Sequence, residues 1–194
     1  MFLWPYGKRD PYFILPKACH DYYEHNIGQG DILQAIVRAV RHNNMMCTGR
    51  IIASDACDDL VCFYKTLQKK PSVVWDVYKN IQDTFYECPN GPVIKSPTQD
   101  TALTSRGAYF YWIRSLFNGL PYDREEFDAI HAAYFLFLTR YGFLHFRKGP
   151  NGCNTSYGNR PVSHLTESDF RDVHDWIQPV VFKLRAEMDY EYTV

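Results

Sequence analysis

The sequence lacks any uninterrupted apolar run of about 18 residues, the length that indicates a membrane-spanning helix. Its beginning, MFLWPYGKRD, also lacks the apolar core of a secretory signal peptide. These two absences argue against a membrane protein and against a secreted one. We therefore expect no membrane contact and an intracellular location.

Paired cysteines are missing as well. The six cysteines form no Cys-x-x-Cys pair, and the closest two, Cys57 and Cys62, have no histidine at the spacing of zinc ligands. We predict free thiols in a reducing compartment, such as the cytoplasm or nucleus, and we assign no metal site.

The chain has almost no net charge, −1 at pH 7 with a pI of about 6.6, so the protein as a whole does not attract nucleic acid. The charges are nevertheless distributed unevenly. No acidic residue lies between Arg140 and Thr166, whereas Arg147, Lys148 and Arg160 fall within that stretch, among Asn, Ser, Tyr and Gly residues. This mixture suits contacts to phosphates and base edges, and it equally suits a solvent-exposed loop.

Hydrophobic residues make up 46% of the 194 residues, which is enough for a core and excludes a disordered chain. The length fits one domain, or one domain with a large insertion. Hydrophobic spacing predicts an α/β chain in which short strands alternate with helices and a mainly helical part follows. The predicted strands are residues 20–24, 51–56 and 179–184. The predicted helices are residues 31–44, 58–70, 72–88, 106–118, 123–142 and 166–177. The predicted helix caps are Asp31, Thr166 and a capping box of Asp123 and Glu126.

The stretch HDYYEHNIGQGD, residues 20–31, joins a strand that ends at Glu24 to a Gly-x-Gly turn at Gly28 and Gly30. A helical pattern starts directly afterwards, and the next predicted strand ends at Asp55. Nucleotide-like ligands bind at such corners, because glycines allow close backbone approach and the helix N-terminus offers free N–H groups. An acid after the second strand commonly holds a ribose. A plainer explanation is also open, in which Glu24 pairs with a lysine and Asp55 caps the next helix.

Six short segments are informative through their order. They are Trp4, Gly7 and Lys8 in WPYGKR; Glu24, Gly28 and Gly30 in EHNIGQG; Asp55 in SDACDDLV; Arg114, Phe117 and Asn118 in YFYWIRSLFN; the run AAYFLFLTR; and Gly152, Asn154, Tyr157 and Gly158 in NGCNTSYG. In this order and spacing the chain resembles the DNA adenine-N6 methyltransferases of the Dam type over nearly its whole length. It departs from that family where Tyr6 replaces a glycine and where His25 and Asn26 replace a Pro-Phe pair.

The resemblance implies an α/β fold, with a partial Rossmann-like sheet of the S-adenosylmethionine-dependent methyltransferase type and a mainly helical target-recognition insertion. It implies a cofactor-binding half at residues 1–57, to which residues 166–194 return, and an insertion at residues 58–165 that carries the basic hairpin. The implied contacts to S-adenosylmethionine are Trp4, Gly7, Lys8, Glu24, Gly28, Gly30 and Asp55, the last on the ribose side. The implied DNA contacts are Arg140, Arg147, Lys148, Asn154, Tyr157 and Arg160.

The Asp-Pro-Pro-Tyr segment on which the family's catalysis rests is absent from the sequence. In the family, its polar groups accept hydrogen bonds from the target adenine amine, and its aromatic ring stacks on the flipped base. We therefore predict that this chain alone does not methylate DNA, and we assign it no catalytic residue.

Two functions are compatible with these observations. In the first, the chain is a non-catalytic DNA-binding or structural component of a larger assembly, such as a virus particle. In the second, it is the cofactor- and DNA-recognition half of a split methyltransferase, completed by a partner chain that carries Asp-Pro-Pro-Tyr. Replacement of the Pro-Phe pair favours the first function, and retention of Lys8, Glu24 and Asp55 favours the second.

Because three parallel strands leave an apolar edge, we expect another chain or a second copy to cover it.

Overall fold

The computed structural model describes residues 14–121, 128–143 and 146–188. Within these ranges the chain is a mixed α/β protein with small parallel sheets. The predictions for Trp4, Gly7 and Lys8, and for a capping box of Asp123 and Glu126, lie outside the described residues.

The helices and strands follow the predicted order closely. The strands are β1 (Ala18–Cys19), β2 (Tyr22–Glu24), β3 (Met46–Cys47), β4 (Ile51–Asp55), β5 (Lys148–Gly149), β6 (Gly152–Cys153) and β7 (Val180–Leu184). The α-helices are α1 (Asp31–Arg41), α2 (Asp58–Lys69), α3 (Pro71–Glu87), α4 (Arg106–Gly119), α5 (Asp128–Tyr141) and α6 (Glu167–Ile177), with short 3₁₀ helices at Gln99–Thr104 and Arg185–Glu187.

The main sheet has three parallel strands in the order β2-β4-β7. Tyr22 pairs with Ile51, and Ile51 pairs with Val180. The first four residues of β4 are buried, as expected for a central parallel strand that is covered on both faces. Strands β1 and β3, which precede β2 and β4 in the chain, pair with each other and are also parallel. The final predicted strand therefore does return to the first part of the chain.

Two helix ends differ from the sequence prediction. The N-cap of α1 is Gly30 in a left-handed conformation, and Asp31 is the first residue of the helix. Asp31 was predicted as the cap from its residue type, but the glycine turn places Gly30 at that position. Thr166 caps α6 as predicted, because its side chain and that of Asp169 form a reciprocal capping box.

Helix α5 lies at the centre of the helical part and packs on α2, α3 and α4. It is apolar around nearly its whole circumference, as expected for a helix enclosed by others. The predicted core role of the helical aromatics is confirmed for Tyr111, Phe135 and Phe137, which are buried, whereas Trp75 and Trp112 pack half-buried against the core. In the described residues no helix has both the length and the apolarity needed to cross a membrane.

The predicted hairpin is present, with β5 and β6 pairing antiparallel over two residues each. Helix α4 holds it in place, because the Asn118 amide donates to the Cys153 carbonyl at 3.0 Å and accepts from the Cys153 N–H at 2.7 Å. Arg114 donates to the Thr155 carbonyl at 3.0 Å. Arg114 and Asn118, which the resemblance singled out, thus fix the hairpin on the helical part.

Candidate functional site

The first candidate site is the glycine corner, which we define as residues 24–31 together with Asp55. Glu24 ends β2 and Asp55 ends β4, so both acids lie at the carboxyl end of the parallel sheet. Between them the turn uses two left-handed glycines, Gly28 with φ of 49° and Gly30 with φ of 77°. The structure thus brings Glu24, Gly28, Gly30 and Asp55 together at one end of the sheet. Ligands of open α/β sheets bind at this end.

The Asp55 carboxylate connects the turn to the start of α2. Its Oδ1 accepts a hydrogen bond from the Cys57 N–H at 2.9 Å, and its Oδ2 accepts from the Gly28 N–H at 3.4 Å. The first bond forms an Asx turn before α2, whose N-cap is Cys57, so the helix-capping role considered for Asp55 from the sequence is wrong. The second holds the glycine turn against the sheet.

The two glycines serve different purposes. A Cβ on Gly30 would lie 2.8 Å from the Trp176 ring and 3.1 Å from the Tyr64 hydroxyl, so packing as well as backbone conformation requires glycine. A Cβ on Gly28 would meet no atom within 4 Å. The corner is therefore closely packed behind Gly30 and open beside Gly28.

Within the described residues, Glu24 interacts with its own strand. Its Oε2 accepts a hydrogen bond from the Tyr22 hydroxyl at 3.0 Å. Burial and the neighbouring Glu24 carboxylate raise the pKa of the Tyr22 phenol above its ordinary value, so Tyr22 remains a hydrogen-bond donor.

Sequence reasoning did not identify Arg185 as part of this corner. Arg185 directly follows β7, and its guanidinium donates to the His25 carbonyl at 2.6 Å and to the Asn26 side-chain oxygen. Because β7 lies on the far side of β4 from β2, Arg185 links the two outer strands across the end of the sheet. In the sequence, the only sign of this contact is that Arg185 is a basic residue at the end of a predicted strand, and many strands end in this way without contacting a ligand site.

The predicted DNA surface is only partly exposed. Arg140 is 1% exposed and donates to the Ser163 carbonyl at 2.6 Å, so its prediction as a DNA contact is wrong. The resemblance implied this contact, but Arg140 lies on the predicted helix, and helix α5 is enclosed by its neighbours so that the Arg140 guanidinium is buried. Arg160 is half-buried and donates to the Arg140 carbonyl at 3.0 Å.

The other residues of this predicted surface also divide into side chains that contact the rest of the chain and side chains that are exposed. Tyr157 is half-buried, with its ring centre 5.5 Å from that of Phe110. Lys148 forms ion pairs with carboxylates of α2. Arg147, Lys148 and Asn154 are exposed. Exposure is therefore compatible with DNA contact for these three residues, although the Lys148 ammonium is engaged in ion pairs within the chain.

The second candidate site contains a buried carboxylate and a buried imidazole and was not anticipated from the sequence. We call it the acid–histidine cluster and define it as Asp59 of α2, His131 of α5 and Lys148 of β5. His131 Nε2 lies 2.9 Å from Asp59 Oδ1, and Lys148 Nζ lies 3.0 Å from Asp59 Oδ2. The side chains of Asp59 and His131 are 1% and 3% exposed. The cluster forms one wall of a cavity of about 350 Å³ beneath the hairpin.

The charges of this cluster compensate one another. Burial by itself raises the pKa of Asp59, but the hydrogen bonds and charges of His131 and Lys148 outweigh burial and hold that pKa at about 2. Asp59 is therefore ionised at neutral pH. Cys57, Asp58 and Asp59 offer three potential metal-ligand atoms within 4.8 Å of one another, but the Lys148 ammonium already supplies positive charge there.

The predicted free thiols are confirmed, because all six cysteines are unbonded to one another.

A comparison of the sequence with models of known protein families finds no match, and a comparison with curated proteins finds none either.

Proposed function

We propose that the chain is a non-catalytic relative of the DNA adenine-N6 methyltransferases, with a partial Rossmann-like sheet, that serves as a structural component of a larger assembly. The observation that carries this proposal is the occupation of the glycine corner by groups of the chain itself. In a nucleotide-binding corner, the turn N–H groups and the acid after the second strand face the ligand. Here Asp55 accepts a hydrogen bond from the Gly28 N–H.

Arg185 supports the same conclusion from the other side of the corner. It bonds to His25 and Asn26, the two positions at which the chain departs from the Pro-Phe pair of the family. The exchanged residues thus supply the acceptors for a contact within the protein. A turn held in this way is suited to a structural role.

The basic hairpin also favours a structural role over DNA binding. A protein binds nucleic acid through cations that can reach phosphates, and each such contact adds to the salt dependence of binding. Arg140, Lys148 and Arg160 instead bond to carbonyls or carboxylates of this chain. Arg147 and Lys148 are the exposed cations of the predicted surface, and the Lys148 ammonium is already paired with Asp58 and Asp59.

The strand order supports one position for the proposed partner. In doubly wound sheets the first half has the order 3-2-1, and the second half begins beside strand 1. The order β7-β4-β2 is compatible with such a first half, whose second half would lie at the free side of β2. Within the described ranges β2 pairs with β4 alone. We propose that a strand of another chain, or of a second copy, pairs with β2 there.

A split methyltransferase is the second candidate function. It is favoured by the gathering of Glu24, Gly28, Gly30 and Asp55 at one end of the sheet, the arrangement expected for S-adenosylmethionine binding. In that case the partner strand at β2 brings the Asp-Pro-Pro-Tyr segment.

The first test is calorimetric titration of the full chain with S-adenosylmethionine. We expect no saturable binding by the wild-type chain, and none by Arg185→Ala, in which the contact across the corner is removed. Asp55→Ala is the test variant, and Asp76→Ala, which removes an exposed acid on α3, is its control. Saturable binding that Asp55→Ala weakens and Asp76→Ala preserves would contradict the proposal and support a split enzyme.

The second step identifies the partner. The native, untagged chain is isolated and the proteins bound to it are identified by mass spectrometry. Structural proteins of a particle, or only copies of the chain, are the expected result. A bound protein containing Asp-Pro-Pro-Tyr would contradict it.

A further inference from the structure

A further cavity, of about 320 Å³, is lined by the end of α3, the start of α4, the end of α5 and the chain after the hairpin. We call it the arginine–tyrosine pocket and define it by six of its lining residues, Phe85, Tyr86, Arg106, Tyr141, Tyr157 and Arg160. The glycine corner and the acid–histidine cluster share no lining residue with it. Its volume lies at the lower end of the range of small-molecule sites, about 300–1,000 Å³.

The fold holds one wall of this pocket close to the end of α5. The Gly158 N–H donates to the Tyr141 carbonyl at 2.8 Å, and the Phe143 N–H donates to the Ser156 carbonyl at 2.7 Å. A Cβ on Gly158 would lie 2.9 Å from the Gly142 carbonyl oxygen, so this close approach requires glycine. The pocket is therefore formed by the fold itself, and a ligand that enters it orders little of the chain.

Four aromatic side chains line the pocket at different depths. Phe85 and Tyr141 are buried, with ring centres 4.3 Å apart. Tyr86 and Tyr157 are half-buried, so they lie nearer to solvent. The Tyr86 hydroxyl donates to the Val162 carbonyl at 2.5 Å, which fixes its ring. Rings held in this way suit a planar aromatic ligand, because aromatic pairs stack with an offset or pack edge to face.

Two guanidinium groups line the pocket, and none of its described lining residues is acidic. The Arg106 Nε donates to the Cys88 carbonyl at 3.2 Å, and its Nη2 donates to the Tyr86 carbonyl at 3.1 Å. Arg160 donates to the Arg140 carbonyl at 3.0 Å. Bonds to neutral carbonyls fix the position of a guanidinium group and leave its charge in place. The pocket is therefore positively charged.

This positive charge lies beside the aromatic rings and is available to a ligand. The Arg106 guanidinium carbon is 5.2 Å from the centre of the Tyr86 ring. In the part of the chain that the structure describes, the Nη1 group of Arg106 makes no hydrogen bond. Burial lowers the pKa of the Arg160 guanidinium, so an anion in the pocket would stabilise a charge that burial disfavours.

Two amide side chains, Asn90 and Asn159, also line the pocket, at exposed positions. Asn159 has a left-handed backbone with φ of 38°, and it lies between Tyr157 and Arg160 in the chain. An asparagine amide offers one donor group and one acceptor, the pattern that pairs with the edge of adenine. The pocket thus offers partners for an anion, for an aromatic ring and for the edge of that ring.

We propose that the arginine–tyrosine pocket binds a purine nucleoside monophosphate. The phosphate lies at Arg106 and Arg160, and the base packs against Tyr86 and Tyr157 with its edge at Asn159. This site goes beyond the structural role proposed above, because it is separate from the glycine corner and does not depend on S-adenosylmethionine.

The first experiment is calorimetric titration of the full-length wild-type chain with adenosine 5′-monophosphate, adenosine and inorganic phosphate. We expect one nucleotide to bind per chain, at least about tenfold more tightly than either adenosine or phosphate, because each of these lacks one half of the contacts. Absence of saturable nucleotide binding, or equal affinity for adenosine or for phosphate, overturns the proposal. The structural role proposed above would be unaffected by that result.

Two variants test the assigned contacts. Arg106→Met keeps an unbranched side chain beside the aromatic rings and removes the charge, and we expect it to weaken nucleotide binding at least about tenfold. The control is Arg171→Met, which removes an arginine of α6 whose side chain is 69% exposed and should leave the affinity unchanged. Circular dichroism and the melting temperature verify folding. If Arg106→Met does not fold, Asn159→Gly decides, because glycine accepts the left-handed backbone; we expect about threefold weaker binding, and unchanged affinity overturns the proposal.

The position of the bound nucleotide is then measured directly. The wild-type chain is photolabelled with 8-azidoadenosine 5′-monophosphate, and the labelled peptides are identified by mass spectrometry. We expect the label within residues 85–90 or 157–162. A label within residues 24–31 overturns the proposal and would also contradict the structural role of the glycine corner, whereas a label in any other segment overturns this proposal alone.

Discussion

The glycine corner and the acid–histidine cluster are both polar, yet they are built in opposite ways. The corner is formed by a continuous turn and two strand ends, and its side chains bond mainly to backbone groups. The cluster consists of a buried carboxylate from α2 and a buried imidazole from α5, together with a partly exposed lysine from β5 that pairs with the carboxylate. The corner is visible in the sequence as a motif, and the cluster is visible only after the helices have packed.

This difference teaches that the most recognisable site is not the one with the strongest interactions. Hydrogen bonds near solvent have small net effects, because water replaces them when they break. A buried charge has no such replacement, and removal of its partner is strongly destabilising. The cluster should therefore dominate stability even though the corner dominates the sequence pattern.

The largest expected effect is that of Asp59→Ala. It leaves His131 and Lys148 without their shared buried carboxylate, and we expect it to lower the free energy of unfolding by about 3–5 kcal/mol. The control is Asp58→Ala, which removes an acid that pairs with the same lysine but is 43% exposed. That variant should lose less than about 1 kcal/mol. Urea denaturation measures both, and equal losses would remove the distinction between cluster and surface.

The next effect concerns the glycine corner and separates its two glycines. Gly30→Ala introduces a left-handed alanine and a clash with the Trp176 ring, and should cost about 2–4 kcal/mol. Gly28→Ala introduces only the backbone strain and should cost about 1 kcal/mol. Thermal and urea unfolding of the two variants test this order. A larger loss for Gly28→Ala would show that the turn, rather than the packing behind it, is limiting.

The smallest expected effect is the acid dependence of the cluster. The pKa of Asp59 is about 2 in the folded protein, below its ordinary value of 3.8, so its ionised form favours folding. This contribution, on the order of 2 kcal/mol, is fully present above about pH 4 and is lost as the pH falls through about 2. The difference in unfolding free energy between wild type and Asp59→Ala should therefore shrink over that range. A constant difference between pH 5 and pH 2 would contradict the ionised state of Asp59.

The sequence predicted the elements well where local patterns determine them. The strand at Ile51–Asp55, the helix at Asp58–Lys69 and the Thr166 cap each follow from hydrophobic spacing or residue type within a few positions. The sequence failed where the partner of a side chain comes from a distant segment. Arg140 was assigned to DNA because nothing nearby in the chain reveals that the Ser163 carbonyl accepts from its guanidinium.

The same physical reason explains why the acid–histidine cluster was missed. Asp59 and His131 are 72 residues apart, and Asp58 and Lys148 are 90 apart. No spacing rule connects them, because their proximity depends on how α2, α5 and the hairpin pack. From the sequence, Asp59 is only an acidic residue in the first turn of a predicted helix, a position where acids are common.

The pairing of β4 with β7 has a consequence for the order in which the chain folds. Ile51 and Val180 are neighbours in the sheet, although nearly all of the helical part lies between them in the chain. Contacts over such distances form slowly, because the entropy of closing the loop is lost before the contact is gained. Helices α2 to α5 can assemble while the ribosome is still producing β7. We therefore expect the pairing of β4 with β7 to be among the last contacts to form. Gln68 of α2, which donates to the carbonyls of Ile177 and Val180, then holds the start of β7 against the helical part.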